Sequence, residues 1–272
     1  MLEALTTISP SSSKTTLRSW LKEGRVTLDG QVNKRADTPL TKGQKVVVGT
    51  KAQFIDKIRI IYEDAHLIAI EKPSGMLSVA TAFEKGITAH ALLKKHFHPR
   101  KVYVIHRLDQ DTSGVMLFAL SERGYQGLKV LFKNHDIERK YCAIVEGKIN
   151  PPSGTWQSYL YEDANYVVHS TDDETQGVIA TTHYQVIKTS PHYTRLELKL
   201  ETGRKNQIRV HAGEHGHPVV GDKKYGASSD PLHRLCLHAQ LLVFEHPVLE
   251  KKITFTSPVP SAFDRLVKDP HA

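Results

Sequence analysis

The residues best placed to do chemistry lie between His106 and Gly114, in the order His-Arg-Leu-Asp-Gln-Asp-Thr-Ser-Gly. One carboxylate, Asp109, directly follows an arginine and an apolar residue, and the closing Thr-Ser-Gly favours a tight turn. The apolar residues 115–120 come next and predict a buried strand. Asp109 is therefore expected on a turn braced by a rigid element, where reacting groups are commonly held. The alternative is a surface turn whose Asp and Thr side chains bond to their own backbone.

This nonapeptide resembles the signature of the RluA-type RNA pseudouridine synthases. The resemblance implies that Asp109 is the nucleophile and that His106, Arg107 and Leu108 contact the substrate, with Arg107 filling the space that the target base vacates. It implies a structural turn role for the rival carboxylate, Asp111. Three reactions stay open to Asp109: attack on the sugar carbon, attack on the base, and removal of a ribose proton.

A second segment, Glu138-Arg139-Lys140-Tyr141, resembles the second motif of the same family. The resemblance implies that Tyr141 stacks against the target uracil. An aromatic side chain at the mouth of a basic cleft can hold an exposed base in this way, with a contribution of ~1–3 kcal/mol. Core packing is the common alternative for a tyrosine in a strand.

Residues 202–211, in the order Thr-Gly-Arg-Lys-Asn-Gln-Ile-Arg-Val-His, resemble the third motif of the family. In that motif the arginine before Val-His pairs with the nucleophile, which implies that Arg209 is the partner of Asp109. An opposite charge close by favours the ionised carboxylate. This chain has Lys205-Asn206 where many members have Thr-His or Ser-His. The resemblance extends over about residues 58–260.

The loop Lys72-Pro73-Ser74-Gly75 resembles the first motif of the family. Pro73 and Gly75 impose a loop after the preceding strand, and Lys72 is the charge that this loop carries. Two roles are open for Lys72: contact with the substrate, and support of the site from behind.

Two histidines, His211 and His215, have the i, i+4 spacing of a zinc-binding helix. A metalloprotease would need a glutamate directly after the first histidine, and Ala212 stands there instead. We therefore predict no metal site. Isomerising a uridine involves neither redox chemistry nor group transfer, so no cofactor, and in particular no nucleotide cofactor, is expected.

The pattern of apolar residues predicts an α+β chain. Runs typical of strands cover 58–62, 67–70, 115–120, 139–145 and the alternating segment 193–200. Thr88 and Ser121 are predicted to cap helices, and a third helix begins at Gln207 and stops at Gly216. Residues 151–180 contain turn residues and polar strands and predict little. For residues 58–272 the resemblance implies a catalytic domain with a mixed, mostly antiparallel sheet, flanking helices and a central cleft.

Residues 1–50 are predicted to form a small α/β module, joined to the rest by a linker at 51–57. Ser13 can cap a helix that buries leucines and carries three cations on another face, followed by the hairpin signal Asp29-Gly30. This region resembles the small RNA-binding domain first seen in ribosomal protein S-four. Phosphate contacts are thus implied for four cations; the alternative is an ordinary solvated helix face. The four cations are Lys14, Arg18, Lys22 and Arg25.

The charge balance favours a polyanionic partner, since 37 Lys and Arg stand against 29 Asp and Glu and the isoelectric point is about 9.3. The two cysteines, Cys142 and Cys236, lie far apart in apolar runs and are expected as buried, reduced thiols. No window approaches the ~20 apolar residues of a membrane span, and no secretory leader is evident, so we expect a cytoplasmic protein without a membrane partner. We also expect a monomer.

Together these features favour a pseudouridine synthase that acts on structured RNA, rRNA or tRNA. A non-catalytic RNA-binding or ribosome-assembly protein on the same scaffold is the main alternative. A base-hydrolysing glycosylase is a third reading, but it would need an activated water and a second carboxylate in the cleft.

Overall fold

The computed structural model describes residues 1–29, 31–49, 53–80 and 87–268. The chain divides into two compact units, Met1–Phe54 and Ile55–Ala272. The boundary falls inside the predicted linker at 51–57. Part of that linker, Gln53–Ile55, forms a short strand. Residues 51 and 52 of the linker lie outside the described residues.

The smaller unit packs two helices on a three-stranded antiparallel sheet. The elements are α1 Leu2–Ile8, α2 Lys14–Lys22, β1 Val26–Leu28, β2 Gln31–Val32 and β3 Val46–Val48, with strand order β2-β1-β3. Ser13 caps α2 as predicted, because its hydroxyl accepts a hydrogen bond from the backbone N–H of Thr16 at 3.1 Å. Leu5, Leu17 and Leu21 are buried and form the core with Val26. The tip of the predicted hairpin, Gly30, lies outside the described residues.

The larger unit is built around one sheet, which has twelve strands within the described residues. The strand order is β11-β10-β12-β13-β9-β14-β8-β6-β5-β4, with β15 paired to β14 and β7 paired to β8. The strands are β4 Gln53–Ile55, β5 Ile58–Glu63, β6 Leu67–Lys72, β7 Tyr103–Val104, β8 Ser113–Ala119, β9 Glu138–Glu146, β10 Ser153–Glu162, β11 Val168–Thr171, β12 Val178–Thr189, β13 Tyr193–Leu200, β14 Leu237–Glu245 and β15 Lys252–Thr256.

Helices flank this sheet: α3 Ala89–Phe97, α4 Glu122–Lys133, α5 Gln207–Glu214 and α6 Ser261–Leu266, with a 3₁₀ turn at Lys223–Tyr225. The predicted caps of α3 and α4 are present, since Thr88 accepts from the N–H of Ala91 and Ser121 accepts from the N–H of Gly124. The predicted α+β class, with a mixed and mostly antiparallel sheet between helices, is confirmed. Among the described helices, none is long and apolar enough to cross a membrane.

Burial follows the sequence pattern where the pattern is strong. Leu196, Leu198 and Leu200 alternate along β13 and are all buried. Every residue of β8 is buried, because helices or loops cover both of its faces, which explains its unbroken apolar run. Cys142 and Cys236 are free, buried thiols, and burial raises their pKa values to about 11 and about 12.

One parallel contact joins the middle of the sheet. Strands β8 and β14 run parallel and pair through Ser113 with His238 and through Gly114 with Ala239. The backbone of Gly114 has φ +117°, and a Cβ there would lie 2.1 Å from the carbonyl oxygen of Ala239. Only glycine allows this approach. The crossing holds the start of β8, and therefore the turn before it, against the centre of the sheet.

Candidate active site

The turn that carries Asp109 is fixed by backbone hydrogen bonds on both sides. Thr112 donates its N–H to the carbonyl oxygen of Asp109 at 3.2 Å. The hydroxyl of Ser78 donates to the carbonyl oxygen of Leu108 at 2.6 Å and accepts the N–H of Leu108 at 3.1 Å. Leu108 itself is buried in an apolar cluster beneath the turn. Asp109 thus projects from a backbone that is held one residue before it, while its carboxylate stays 28% exposed.

Lys72 joins this turn to the loop after β6. Its buried ammonium group donates to the carbonyl oxygens of Pro73, Met76 and Gln110 at 3.0, 2.6 and 2.7 Å. Burial lowers the pKa of Lys72 to about 8, although the charges of Asp111 and Asp109 act against that shift. Because its donors point to backbone oxygens, this geometry favours support of the site over contact with substrate.

Arg209, on α5, brings a guanidinium to Asp109. Its Nη1 lies 3.3 Å from Oδ2 of Asp109, and its Nε and Nη2 donate to the two carboxylate oxygens of Asp222 at 2.6 and 2.8 Å. Asn206 accepts from Nη1 at 3.2 Å, and the guanidinium lies 5.0 Å from the ring centre of Tyr225. The two residues are a hundred positions apart in the chain, and the fold brings their side chains together.

Asp222 and Tyr225 are site residues that the sequence analysis missed. Both lie beyond α5, in the segment 217–226, and nothing in that segment's periodicity marks Asp222 as a partner of an arginine. Its carboxylate is 1% exposed, so only a paired charge is tolerable there. Burial works to lower the pKa of Arg209, but the hydrogen bonds and charge of Asp222, followed by the charge of Asp109, raise it.

Tyr141 lines the same cavity as Asp109. This cavity has a volume of about 60 Å³ and opens beside a cleft of about 650 Å³; Arg107, Leu108 and Leu200 line both. Tyr141 stands on β9, opposite Leu198 of β13 and Ala239 of β14. Burial of its ring raises its pKa, so the phenol stays neutral. Among the described residues that line the cavity and the cleft, Asp109 is the one carboxylate.

The two residues before Leu108 have different surroundings. Arg107 is exposed in the cleft wall. The ring of His106 stacks on Phe132 with centroids 4.7 Å apart, and its Nε2 accepts the backbone N–H of Leu117 at 2.9 Å. Burial, helped by the charge of Arg139, lowers the pKa of His106 to about 3, so this ring is neutral. Its position fixes the approach of the turn to β8.

The predicted phosphate-binding cations of the smaller unit differ in how far they are engaged in contacts within the protein. Lys14, Arg18 and Lys22 are exposed on α2. Arg25 is partly engaged, because its Nε donates to the carbonyl oxygen of Gly49 at 3.0 Å and its guanidinium lies 4.7 Å from the ring centre of Trp20.

The histidine pair on α5 takes part in packing. His211 is buried and bonds through Nδ1 to the hydroxyl of Thr182 at 2.9 Å, and burial lowers its pKa to about 4. His215 stacks on Trp156 at 5.3 Å. In the part of the chain that the structure describes, no group of three or more His, Cys, Asp or Glu residues could hold a metal ion.

Comparisons with known proteins point to one family. The sequence profile of the family described as RNA pseudouridylate synthase matches residues 66–214, which include Asp109, Tyr141 and Arg209. Ribosomal large subunit pseudouridine synthase D of Pseudomonas aeruginosa is 32% identical over 287 residues, covering 93% of this chain and 86% of that protein. An uncharacterized RNA pseudouridine synthase of Bacillus subtilis, YhcT, is 30% identical over 94% of this chain and 89% of its own length.

Solved structures agree on the fold. Human RNA pseudouridylate synthase domain containing 1 superposes with a TM-score of 0.64 at 22% identity, covering 77% of this chain and 86% of that one. Human RNA pseudouridylate synthase domain containing 4 gives a TM-score of 0.61 at 24% identity, covering 75% of this chain and 90% of that one. Since the profile spans more than half of the chain and curated relatives match nearly all of it, the chain belongs to the RNA pseudouridylate synthase family.

Proposed function

We propose that this protein isomerises uridine to pseudouridine in structured RNA, rRNA or tRNA, with Asp109 as the nucleophile. The observation that carries the proposal is the 3.3 Å ion pair between Arg209 and Asp109, whose carboxylate lines the same cavity as Tyr141. A relative that matches 93% of the chain is named as an enzyme of the ribosomal large subunit, which supports rRNA as the substrate.

The reaction breaks the bond between the base nitrogen and the ribose, turns the detached uracil, and rejoins it through carbon five. Asp109 must be ionised for any of its three possible roles: attack on the sugar, attack on the base, or removal of a ribose proton. Arg209 supplies the opposite charge that favours the ionised form. Tyr141 and Leu108 supply an aromatic and an apolar wall that hold the uracil and exclude water while it turns.

The target base must leave its helix before it can reach the carboxylate of Asp109 in the cavity, which costs a few kcal/mol of unstacking. The cleft of about 650 Å³ is wide enough for an everted nucleotide. Arg107 is exposed at its wall, from where its side chain can enter the space that the base leaves.

The smaller unit is proposed as an accessory RNA-binding module of the ribosomal-protein-S-four type. Three exposed cations on α2, Lys14, Arg18 and Lys22, suit contacts with the phosphate backbone. Such contacts add affinity without choosing a sequence.

The test compares two neighbouring carboxylates. Asp109→Asn should bind RNA as the wild type does and form no pseudouridine, because the amide is not a nucleophile. The control is Asp111→Asn, an equal change two residues away on an exposed turn residue, and it should keep its activity. The measurement is tritium release from cellular RNA labelled at uracil carbon five. Full release by Asp109→Asn would refute Asp109 as the nucleophile.

A further inference from the structure

Arg139 is a buried cation in the wall of the cleft. It lies on β9 two residues before Tyr141, and alternate residues of a strand share a face. Both side chains line the cleft of about 650 Å³, whereas Lys140 between them pairs with Glu197 at 2.8 Å on the other face. Arg139 is only 8% exposed.

Few hydrogen bonds inside the protein offset the cost of burying the Arg139 guanidinium. Its Nη2 donates to the carbonyl oxygen of Glu201 at 3.0 Å, and its Nε is buried without a hydrogen-bond partner. Within the described residues it forms no ion pair, although Arg209 in the same site has two. Burial lowers the pKa of Arg139, which is the direction expected of a buried cation without a charged partner. A buried charge is normally paired, and the described residues supply no anion to Arg139.

Gly203 leaves room for Nη1, the remaining nitrogen of the Arg139 guanidinium. Gly203 belongs to the turn between β13 and α5 and lines the same cleft. A Cβ at this position would lie 2.4 Å from Nη1 of Arg139. The absence of a side chain therefore keeps Nη1 of Arg139 at the cleft wall, and Lys133, Arg204 and Lys205 line the cleft around it.

We propose that Arg139, whose Nη1 packs against Gly203, binds one phosphodiester of the RNA backbone next to the nucleotide that stacks on Tyr141. The planar guanidinium suits a phosphate, and the charge-assisted hydrogen bond offsets the desolvation of the arginine. The identity of the polymer rests on the proposed function, but the anion site itself rests on Arg139 and Gly203.

The test measures binding of decauridylate to the full chain as a function of KCl concentration. Arg139→Gln should weaken binding about tenfold, as expected for a hydrogen bond to a charged group. It should also reduce the slope of log affinity against log salt by about 0.7, the value for one phosphate of a single strand. Lys140→Gln is the matched control, because it removes an equal charge one residue away on the opposite face; its slope should equal that of the wild type.

Gly203→Ala tests the geometry without removing a charge. The new methyl group displaces the end of the Arg139 side chain, so this variant should bind decauridylate more weakly, and it should have no further effect in the Arg139→Gln background. A decamer with neutral methylphosphonate linkages should bind wild type and Arg139→Gln equally. Thermal melting identifies any variant that fails to fold, and Arg139→Lys should recover the salt slope.

An unchanged salt slope in folded Arg139→Gln, or an equal fall in Lys140→Gln, would overturn the phosphate site. Because binding is measured without turnover, this outcome is distinguishable from failure of the proposed function. A chain that forms no pseudouridine but retains the Arg139-dependent slope would refute the function and keep the site.

Discussion

Arg209 divides one guanidinium between two carboxylates. Asp222 receives two hydrogen bonds of 2.6 and 2.8 Å, and Asp109 receives one longer contact of 3.3 Å. The bidentate pair with the buried Asp222 fixes the plane of the guanidinium, which leaves Nη1 pointing at Asp109. Stacking on Tyr225 restrains the plane from one side. Asp222 and Tyr225 are therefore positioning residues for the pair.

Arg209→Lys should retain the positive charge but lose the simultaneous contacts with Asp222 and Asp109. A single ammonium cannot form the two-pronged pair with Asp222 and reach Asp109 in the same orientation. We expect pseudouridine formation to fall about a hundredfold, which is typical for loss of a preorganised charge contact, while RNA affinity changes little. Single-turnover rates and filter binding measure the two quantities. The control is Arg59→Lys in β5, whose partner Glu71 lies 2.9 Å away. A near-normal rate in Arg209→Lys would show that charge alone suffices.

At the residue scale, the proposed members of the site come from the resemblance, and the structure supplies the contacts around them. Asp109, Tyr141 and Arg209 stand in short motifs whose order can be read directly. Asp222 and Ser78 act through contacts between segments that are distant in the chain, and single-sequence patterns carry no such information. Lys72 was left between two roles, and only the carbonyl oxygens around its ammonium favour one of them.

At the scale of elements, the parallel pair β8 and β14 is held by a chain of polar side chains behind Asp109. Nη2 of Arg234 donates to the hydroxyl of Ser113 at 2.8 Å, and this hydroxyl lies 2.8 Å from Nδ1 of His238. Nε2 of His238 lies 3.2 Å from the carbonyl oxygen of Ser257. A neutral imidazole with its proton on Nε2 satisfies both contacts, with Ser113 as donor to Nδ1. Burial lowers the pKa of His238 to about 4, in agreement with the neutral ring.

The hydrogen bonds of the neutral His238 predict a loss of stability in mild acid. In the unfolded state the pKa of His238 is about 6.5, whereas in the fold burial lowers its pKa to about 4. Between these values the unfolded state holds more protons, so the free energy of unfolding falls as pH falls, by at most ~3 kcal/mol from this group. His238→Gln should show a shallower decrease in urea unfolding measured at about pH 6.5 and about pH 4.5. The control His96→Gln changes an exposed histidine and should follow the wild type; a His238→Gln curve parallel to the wild type would contradict the assignment.

The elements that the sequence predicted are those in which apolar residues recur with a clear helical or strand period. The alternation of β13 and the capped helices α3 and α4 were predicted close to their bounds. Strands β10, β11 and β12 were not predicted. In β10, for example, Ser153, Thr155 and Gln157 are exposed polar residues, and the residues between them are not all buried and apolar. Their order in the sheet depends on pairing with β13, which is a tertiary contact.

At the scale of the whole molecule, the chain contains two units that each have a hydrophobic core. Five residues, Met1, Leu5, Leu17, Leu21 and Val26, form the buried core of the smaller unit. The chain divides between Phe54 and Ile55, and the roles predicted for the two parts stay predictions. The net charge of +8 is a property of the whole chain, and it predicts affinity for RNA without saying which residues provide it.

The contribution of the smaller unit can be measured without deleting it. Replacing Lys14, Arg18 and Lys22 by glutamine removes three exposed cations from α2, none of which contributes to the unit's core. If each contacts a phosphate, the slope of log affinity against log salt for transcribed ribosomal RNA should fall by about 2 to 3. Tritium release at saturating RNA should stay near the wild-type rate, because these residues lie outside the unit that contains Asp109. The matched control replaces three other exposed lysines, Lys251, Lys252 and Lys268, and should lower the slope much less. Equal slopes in the two triple variants would assign the salt dependence to overall charge and remove the RNA-binding role of α2.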